Sequence, residues 1–345
     1  MSLLNKAETN SKYDPGIEID SNKVLCLHRN ENLFISKEWM RDFVSHAASQ
    51  VDVLRYPETS SLELRKSLAK HYGVMAENVF VGNGSDEVLA CVLHLLRDRY
   101  QTLATLDVHF KVYDLLADRL DYRHETIPGA TFETEKIATT AWRGLALVDS
   151  PNAITGLGLD QRYLRRLTES PEAFLIWDNA YGEYAGDQCP SDLPENMIIV
   201  RSFSKFFGLA GARVGYCIGG HQIIDQLLSR KDVFNVNAFG QQLALHALSR
   251  HSEFAQFREE VIRCRNVLKR NLRERGFHVR EPSGNHIFAT HERLSACYIQ
   301  EQLLIRNVAV RRFPGAPTDN FLRFTVPPLD GIDRLMACLD KIVPR

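Results

Sequence analysis

The stretch RSFSKFFGLAGARVGY, residues 201–216, contains the residues around which the rest of the chain is interpreted. An apolar run at residues 197–200 comes directly before it and predicts a buried strand. A lysine amine just past a strand end can condense with an aldehyde, and hydroxyls together with an arginine can hold a phosphate. Taken alone, the stretch also fits a surface lysine in a glycine-rich turn. The side chains that suggest the chemistry are Ser202, Ser204, Lys205 and Arg213.

Further segments supply groups that would complete a site for pyridoxal phosphate (PLP), which carries both an aldehyde and a phosphate. Such a site needs a carboxylate for the pyridinium nitrogen, donors for the 3'-oxygen, amides for the phosphate and a ring to stack on the cofactor. The segments are VGNGSDE (81–87), SPNAITG (150–156), WDNAYGEY (177–184), SFSK (202–205) and ARVGY (212–216).

In this order, the segments resemble those of the aspartate aminotransferase superfamily of PLP enzymes, and most closely the histidinol-phosphate aminotransferase family. The resemblance covers nearly the whole chain and implies a PLP-dependent aminotransferase. It would move an amino group between a small-molecule amino donor and a 2-oxo acid acceptor. The family also implies a homodimer.

Composition excludes several other classes of protein. The 345 residues are 44% apolar and 25% charged, with a net charge of −1 and a pI near 6.9, so nothing suggests nucleic acid or an anionic membrane as a partner. No apolar run approaches the roughly 18 residues that span a bilayer, and the N-terminus lacks a signal-peptide core. The 7 cysteines are scattered and odd in number, which favours reduced thiols in a cytoplasmic protein and argues against structural zinc.

Strand and helix patterns alternate between about residues 46 and 235, which predicts an α/β fold with a mostly parallel sheet flanked by helices. The last third of the chain predicts a smaller α+β domain. We expect a large PLP-binding domain at 46–235, and a small domain built from both chain ends, 1–45 and 236–345. The active site should lie in the cleft between them.

The phosphate site is expected where a strand, a glycine turn and a helix follow one another. Free amides and the helix dipole make such an N-terminus an anion site, although the same residues also fit an ordinary turn capped by Ser85. The resemblance adds the hydroxyls and the arginine of the first stretch, and Tyr56 of the neighbouring subunit. The complete expected set is Gly84, Ser85, Asp86, Ser202, Ser204, Arg213 and Tyr56.

Lys205, Asp178 and Tyr181 are the expected catalytic residues. Asp178 ends an apolar strand pattern at 173–177, where ligand chemistry collects in α/β sheets. It would hold the pyridine nitrogen protonated, and Tyr181 would present its phenol to the same ring. The amine of Lys205 would bond the cofactor and then act as general base and acid.

Two segments depart from the family pattern. SPNAITG replaces NPNNPTG, which leaves Asn152 as the expected donor to the 3'-oxygen and puts Ala153 and Ile154 where the family has Asn and Pro. Phe110 stands where the family usually has a tyrosine stacked on the pyridine. Phenylalanine keeps the stacking surface but lacks the hydroxyl, and it also fits a core position.

Substrate binding is expected from Arg323, Arg311, Tyr13 and Asn32, all implied by the resemblance. Arg323 would pair an anionic group of the substrate through a bidentate fork, and Arg311 would meet a distal phosphate. Strand alternation predicts that Arg312 faces away from Arg311, so that at most one of the two enters the cleft.

Other functions remain open at this point. An aromatic amino acid aminotransferase or a phosphothreonine decarboxylase-like enzyme would share the motifs, because the reaction depends on which Cα bond stands perpendicular to the cofactor ring. A non-catalytic PLP-binding sensor is a different class, and no spare segment for a DNA-binding module is evident. An inactive structural relative is disfavoured by the set Lys205, Asp178 and Arg213.

Overall fold

The computed structural model describes residues 23–127, 143–187, 189 and 193–343. The expected substrate-binding residue Tyr13 therefore lies outside the described residues.

A seven-stranded sheet forms the centre of the larger part of the fold, in the order β2-β8-β7-β6-β5-β3-β4. Every strand pair from β7 to β4 is parallel, and β8 runs antiparallel to both of its neighbours. The central strands are buried along their whole length, as continuous apolar runs require when helices cover both faces of a sheet. The strands are β2 (Val79–Gly82), β3 (Thr102–Leu106), β4 (Arg123–Ile127), β5 (Gly144–Asp149), β6 (Ala173–Asp178), β7 (Met197–Ser202) and β8 (Gly215–Gly219).

A five-stranded sheet, in the order β1-β11-β12-β10-β9, forms the smaller part. The first strand of the described residues, β1, pairs in parallel with β11, so a segment near the N-terminus completes a sheet made otherwise from the C-terminal part. The domain bounds at 45/46 and 235/236 remain a prediction. The strands are β1 (Leu25–Leu27), β9 (Phe277–Val279), β10 (His286–His291), β11 (Val308–Arg312) and β12 (Leu322–Thr325).

Helices connect the parallel strands and cover the sheets. The helix α3 follows β2 and packs on β7 and β8, while α9 packs on β9 and β10. The helices are α1 (Lys37–Ala48), α2 (Leu62–Tyr72), α3 (Ser85–Leu96), α4 (Val112–Arg119), α5 (Gln161–Arg166), α6 (Gly182–Ala185), α7 (His221–Arg230), α8 (Ala238–Ser249), α9 (His251–Arg273), α10 (Ala296–Ile305) and α11 (Leu329–Leu339).

Aromatic side chains fix the loop that follows β7. Phe203 stacks on Phe207 with ring centroids 4.8 Å apart, and Phe207 meets Phe254 of α9 edge to face at 5.1 Å. Phe203, Phe206 and Phe207 are fully buried. Well-packed rings of this size are held in single orientations, so the loop carrying Lys205 is built on a rigid base.

The α/β fold predicted from the sequence is confirmed, with its mostly parallel sheet flanked by helices. Within the described ranges, no helix combines the length and the apolar composition that crossing a lipid bilayer requires.

Candidate active site

A cleft of about 730 Å³ opens between the carboxyl ends of the central strands and the smaller sheet. The loops after β5, β6 and β7 form one wall, and β11, β12 and the segment after β1 form the other. Of the expected site residues, five line this cleft: Phe110, Tyr181, Lys205, Arg311 and Arg323.

Asp178 lies at the carboxyl end of β6, directly opposite Asp149 at the end of β5. Both carboxyl groups are buried, and the hydroxyl of Tyr113 donates to Oδ2 of Asp178 at 2.7 Å. Burial raises the pKa of Asp178 to about 7, the hydrogen bond from Tyr113 opposes the rise, and Asp149 adds to it. Burial likewise raises the pKa of Asp149. A cationic ring nitrogen beside Asp178 would relieve this cost, because an opposite charge favours the ionised carboxylate.

Lys205 stands three residues beyond the end of β7, with Nζ 5.6 Å from the centroid of the Tyr181 ring. Its backbone carbonyl accepts a hydrogen bond from the hydroxyl of Tyr184 at 3.1 Å. The next carbonyl, of Phe206, accepts from Nδ2 of Asn32 at 3.0 Å. Contacts from two separate elements therefore fix the lysine backbone, while its side chain reaches into the cleft.

The side chain of Tyr181 contacts Asn30, which follows β1, and His286 on β10. Asn30 is buried, and its Nδ2 donates to the Tyr181 hydroxyl at 3.1 Å and lies 3.2 Å from Nδ1 of His286. The rings of Tyr181 and His286 meet edge to face, with centroids 5.1 Å apart. Burial, and then the charges of Arg323 and Lys205, hold the pKa of His286 well below its usual range, so the ring is neutral.

The side chain of Asn152 is bonded within the loop that follows β5, and its expected role as a donor to the 3'-oxygen stays a prediction. Its Nδ2 donates to the carbonyl of Val108 at 2.7 Å and to Oδ1 of Asp149 at 3.1 Å. Its Oδ1 accepts from the amides of Ile154 and Thr155 and from the Thr155 hydroxyl. A primary amide has two N–H groups, so Asn152 shapes the loop with its full donor capacity.

The expected phosphate residues of two separate segments meet at the N-terminus of α3. Arg213 crosses this end of the helix and pairs with Oδ2 of Asp86 at 2.9 Å. Gly84 has φ +83°, and a Cβ there would lie 2.5 Å from Nη2 of Arg213. A Cβ on Gly215 would lie 2.2 Å from the backbone nitrogen of Ser85. Only glycines allow this close approach. The amides at the start of α3 therefore lie beside the Arg213 guanidinium, and both groups can bind a phosphate.

Ser202 and Ser204 are nearly buried, at the end of β7 and in the loop after it. The Ser202 hydroxyl accepts from the backbone amide of Ser204 at 3.1 Å. Phe110 is half-buried at the mouth of the cleft, and its ring meets that of Tyr113 edge to face at 5.7 Å.

Arginines form the far wall of the cleft. Arg311 and Arg323 are directly opposed on the antiparallel strands β11 and β12, so their side chains share a face. Arg323 donates to the carbonyls of Ala153 at 2.8 Å and His28 at 2.7 Å, which fixes its guanidinium. The guanidinium carbons of Arg311 and Arg323 lie 5.5 and 5.0 Å from the centroid of the Phe313 ring.

Arg311 and Arg312 both contribute to the cleft wall, and the expectation that at most one of their side chains enters the cleft stays a prediction. Arg312 is the last residue of β11, where strand alternation no longer fixes the direction of a side chain. Its Nη1 pairs with Oδ1 of Asp319 at 3.1 Å.

Asn32 and Tyr56 are also outside the set of residues that line the cleft. Asn32 is not among the lining residues, and its amide is bonded to the loop of Lys205 instead. Asn30, two positions earlier, is the asparagine that contacts Tyr181. Tyr56 is 82% exposed, and it stacks on Phe234 with centroids 4.6 Å apart rather than reaching the cleft of its own chain.

The arrangement fits PLP in its donor chemistry. A lysine in the cleft, a buried carboxyl of raised pKa, a phenol and an anion-binding helix end converge from separate parts of the chain. The sequence analysis missed Asn30, Tyr113 and His286. Asn30 lies in the polar segment after β1, and Tyr113 follows Phe110 closely; their roles appear only through contacts with distant residues.

Comparisons with known proteins agree with this geometry. The family model described as "Aminotransferase class I and II" matches residues 22–339. Histidinol-phosphate aminotransferase 1 of Bradyrhizobium diazoefficiens is 31% identical over 342 residues, with 97% of each chain covered. Histidinol-phosphate aminotransferase 2 of Rhizobium meliloti is 31% identical over 338 residues, with 96% of each chain covered.

The fold also matches solved structures. Histidinol-phosphate aminotransferase from Sinorhizobium meliloti, in complex with pyridoxal-5'-phosphate, has a TM-score of 0.81 at 22% identity, covering 93% of this chain and 91% of that one. L-threonine-O-3-phosphate decarboxylase from Porphyromonas gingivalis has a TM-score of 0.79 at 17% identity, covering 92% and 99%. At these identities the structures show the fold alone, whereas the family model covers most of the chain. The chain therefore belongs to the class I and II aminotransferase family and is a PLP-dependent aminotransferase.

Proposed function

We propose that this enzyme is a histidinol-phosphate aminotransferase, which moves the amino group of histidinol phosphate to a 2-oxo acid. The observation that carries the proposal is the placement of Lys205 in one cleft with Arg311 and Arg323. The amine would act at the reacting carbon while the arginines bind a phosphate at the far end of the substrate. The names of the relatives at about 30% identity support this substrate.

The cofactor would be held by the residues that converge on the strand ends. The amides at the start of α3, with Arg213 and the two serines after β7, would bind its phosphate, and Phe110 would stack on its ring. When bound, PLP supplies an electron sink for the electrons left at the substrate Cα after a proton is removed. Asp178 would hold the positive charge of the ring nitrogen, and Tyr181 would donate to the 3'-oxygen.

Lys205 would move the proton. Its amine would take the proton from the substrate Cα and then return a proton to complete the exchange of the amino group. Asn30 would orient Tyr181, since its amide donates a hydrogen bond to the phenol oxygen. The neutral ring of His286 adds no positive charge beneath Lys205.

The cleft walls carry opposite charges, which suits a substrate with a phosphate at one end and basic groups at the other. Arg29, Arg311 and Arg323 lie among the lining residues, as do Glu31 and Asp118. Nε of Arg29 is buried and has no hydrogen-bond partner among the described residues, so it retains a donor for an anion.

We also propose a homodimer in which each site is completed by the partner. Tyr56 and Phe234 present an exposed stacked pair beside the exposed residues Val53, Leu54 and Val233. Adjacent exposed apolar side chains mark interaction surfaces. We also propose domain bounds at 45/46 and 235/236. A cytoplasmic location, which the scattered cysteines favour, is proposed as well.

A screen of amino donors tests the substrate. Each donor is mixed with the enzyme, and the absorbance of the bound cofactor reports loss of its aldehyde form. We expect histidinol phosphate to react faster than phenylalanine or tyrosine. Carbon dioxide release from phosphothreonine would instead assign a decarboxylase, and preference for an aromatic amino acid would assign the aromatic enzyme.

Arginine variants test the binding mode. Arg311→Ala should lower kcat/KM for histidinol phosphate by the equivalent of about 2–5 kcal/mol, because a desolvated anion loses one arm of its clamp. Arg323→Ala should impair every anionic substrate. Arg263→Ala, on the exposed face of α9, is the control. Unchanged kcat/KM in Arg311→Ala would exclude the phosphate contact.

Hybrid dimers test the composite site. Mixing Lys205→Ala with Tyr56→Phe should give hybrids in which one site carries both substitutions and the other carries neither. Activity should therefore rise on mixing, relative to either parent. A fully active monomer in sedimentation at micromolar concentration would contradict the dimer.

A further inference from the structure

A second cluster of chemically active side chains lies at the edge of the large sheet, beside the cofactor site. His109 follows β3, Asp114 lies on α4 and His124 lies on the neighbouring strand β4. Oδ1 of Asp114 is 2.9 Å from Nε2 of His109 and 3.2 Å from Nδ1 of His124. The three ligand-type atoms lie within 4.8 Å of one another. We call these residues the His–Asp–His cluster.

The hydrogen bonds of His109 leave its second ring nitrogen facing Asp114. Its Nδ1 is 2.7 Å from the carbonyl of Leu106, and a carbonyl can only accept, so Nδ1 carries a proton. In the neutral ring, Nε2 then has only a lone pair, and it faces a carboxylate oxygen that also has only lone pairs. Either a proton shared by this pair or a metal ion therefore lies between the two atoms.

His124 adds a third ligand-type atom, because its Nδ1 lies 3.2 Å from the same carboxylate oxygen. Its other nitrogen, Nε2, is held by the hydroxyl of Thr105 at 2.9 Å. Two ring N–H groups could each donate to this oxygen, whereas a metal ion would be shared by all three atoms. Zn²⁺ binds imidazole and carboxylate at about 2.0–2.2 Å, which places neighbouring ligand atoms about 3.3 Å apart. The separation of 3.2 Å between Asp114 and His124 matches this value, while that of 2.9 Å between Asp114 and His109 is shorter.

We propose that the His–Asp–His cluster binds a divalent transition-metal ion, with Zn²⁺ as the best match to its ligands. Metal-bound histidines usually donate the other ring nitrogen to a carbonyl or similar acceptor, and His109 does so through Leu106. His109 is buried, while Asp114 is half-buried and lines the cleft, so the ion would have an open coordination position on the cleft side. Sequence spacing did not reveal the site, because its ligands come from a loop, a helix and a strand.

The cluster is connected to the cofactor site through one residue. The rings of His109 and Tyr113 are stacked, with centroids 5.8 Å apart and 10° between their planes, and the Tyr113 hydroxyl bonds to Asp178. Metal binding rests on the cluster alone and not on the identity of the substrate. Its failure would therefore leave the aminotransferase proposal intact.

Cobalt titration tests the site. The untagged holoenzyme, in a phosphate-free buffer, is titrated with Co²⁺ and the visible absorption of the ion is followed. We expect one ion per chain, a dissociation constant in the micromolar range or tighter, and displacement by Zn²⁺. His124→Asn and Asp114→Asn should each weaken binding by at least tenfold, the lower limit for loss of a metal-site interaction.

The control is His278→Asn, which changes an exposed histidine on β9 and should bind Co²⁺ as the parent does. His124 is only partly buried, so its variant should fold, and circular dichroism checks this. Binding that is absent, or that is equal in the parent and in both cluster variants, would overturn the proposal. In that case the cluster holds a proton on His109 and is an ion pair only.

Discussion

The hydroxyl of Tyr113 on α4 donates a 2.7 Å hydrogen bond to Oδ2 of Asp178 at the end of β6. Both residues are buried, and the backbone amide of Ala180 donates to the other oxygen at 3.1 Å. Each carboxylate oxygen therefore has a donor. A carboxyl group held in this way has a fixed direction, which a residue that bonds a ring nitrogen requires.

Tyr113→Phe should lower both the free energy of unfolding and the affinity for PLP. The variant removes the donor to a buried carboxylate, which costs about 1.5–3 kcal/mol for a hydrogen bond to a charged group. The pKa of Asp178 should rise further, because the hydrogen bond from Tyr113 lowers it. Fluorescence-detected urea unfolding measures the first effect, and equilibrium titration of the stripped enzyme with PLP measures the second.

Tyr122→Phe is the matched control for this variant. Its buried hydroxyl donates to the carbonyl of Leu93 at 2.6 Å, away from the cleft. It should lower the free energy of unfolding but leave PLP affinity unchanged. Equal PLP affinity in Tyr113→Phe and the parent would show that Tyr113 does not tune Asp178.

The cofactor-stripped enzyme should lose stability as the pH rises from about 4 to about 7. The raised pKa of Asp178, near 7, means that the folded state binds more protons than the unfolded state in this window. The free energy of unfolding then falls with pH, by up to about 4 kcal/mol for a carboxyl group that is forced to ionise while buried.

Asp178→Asn isolates this contribution. The difference in unfolding free energy between variant and parent should grow in favour of the variant up to pH 7 and then level off. Urea unfolding at a series of pH values measures it. A pH-independent difference would show that Asp178 titrates normally in the stripped enzyme.

Asn30→Ala should change the absorbance of the bound cofactor, whereas Asn32→Ala should leave this absorbance unchanged. Asn30 bonds to the Tyr181 hydroxyl at 3.1 Å, while Asn32 bonds to the Phe206 carbonyl at 3.0 Å. Loss of Asn30 leaves buried polar groups unpaired, at about 1–3 kcal/mol in unfolding free energy. It should also shift the pH at which the absorbance of the lysine-bound cofactor changes, since Tyr181 is no longer oriented.

Spectrophotometric pH titration compares these two variants. Asn32→Ala should keep the parent transition, because its contact is to a backbone carbonyl outside the cleft. A larger spectral shift in Asn32→Ala than in Asn30→Ala would reverse the assignment of the two asparagines.

Asn152→Ala should act on stability more than on the cofactor spectrum. The side chain bonds to Val108, Asp149, Ile154 and Thr155, so its loss leaves several buried groups unpaired, at about 1–3 kcal/mol each. Tyr181→Phe is the comparison, because it should change the spectrum with a smaller loss of stability. A spectral change in Asn152→Ala as large as that in Tyr181→Phe would instead support Asn152 as a direct donor to the cofactor.

Local patterns predicted much of the fold. The apolar run at 173–177 predicted β6 to within a residue of its ends, because continuous burial in a parallel sheet demands continuous apolar sequence. Such runs placed Asp178 at the end of one strand and Lys205 beyond the end of the next. Since neighbouring parallel strands end at one edge of a sheet, the two residues had to come near each other.

Local sequence patterns could not predict the contacts between distant segments. The amide of Asn152 faces the loop because Asp149 and Val108 offer it acceptors. The guanidinium of Arg312 pairs with Asp319, seven positions along the chain. Neither result follows from the motif in which the residue stands.

The sequence by itself determined the strand ends, the glycine turn before α3 and the lysine after β7, because each depends on the chemistry of neighbouring residues. Only the tertiary structure decided which distant side chains bond to the site residues. Asn30 reaches Tyr181 across 151 positions of the chain, and Tyr113 reaches Asp178 across 65. Hydrogen bonds depend on distances of about 3 Å in space, and a single sequence carries no measure of those distances.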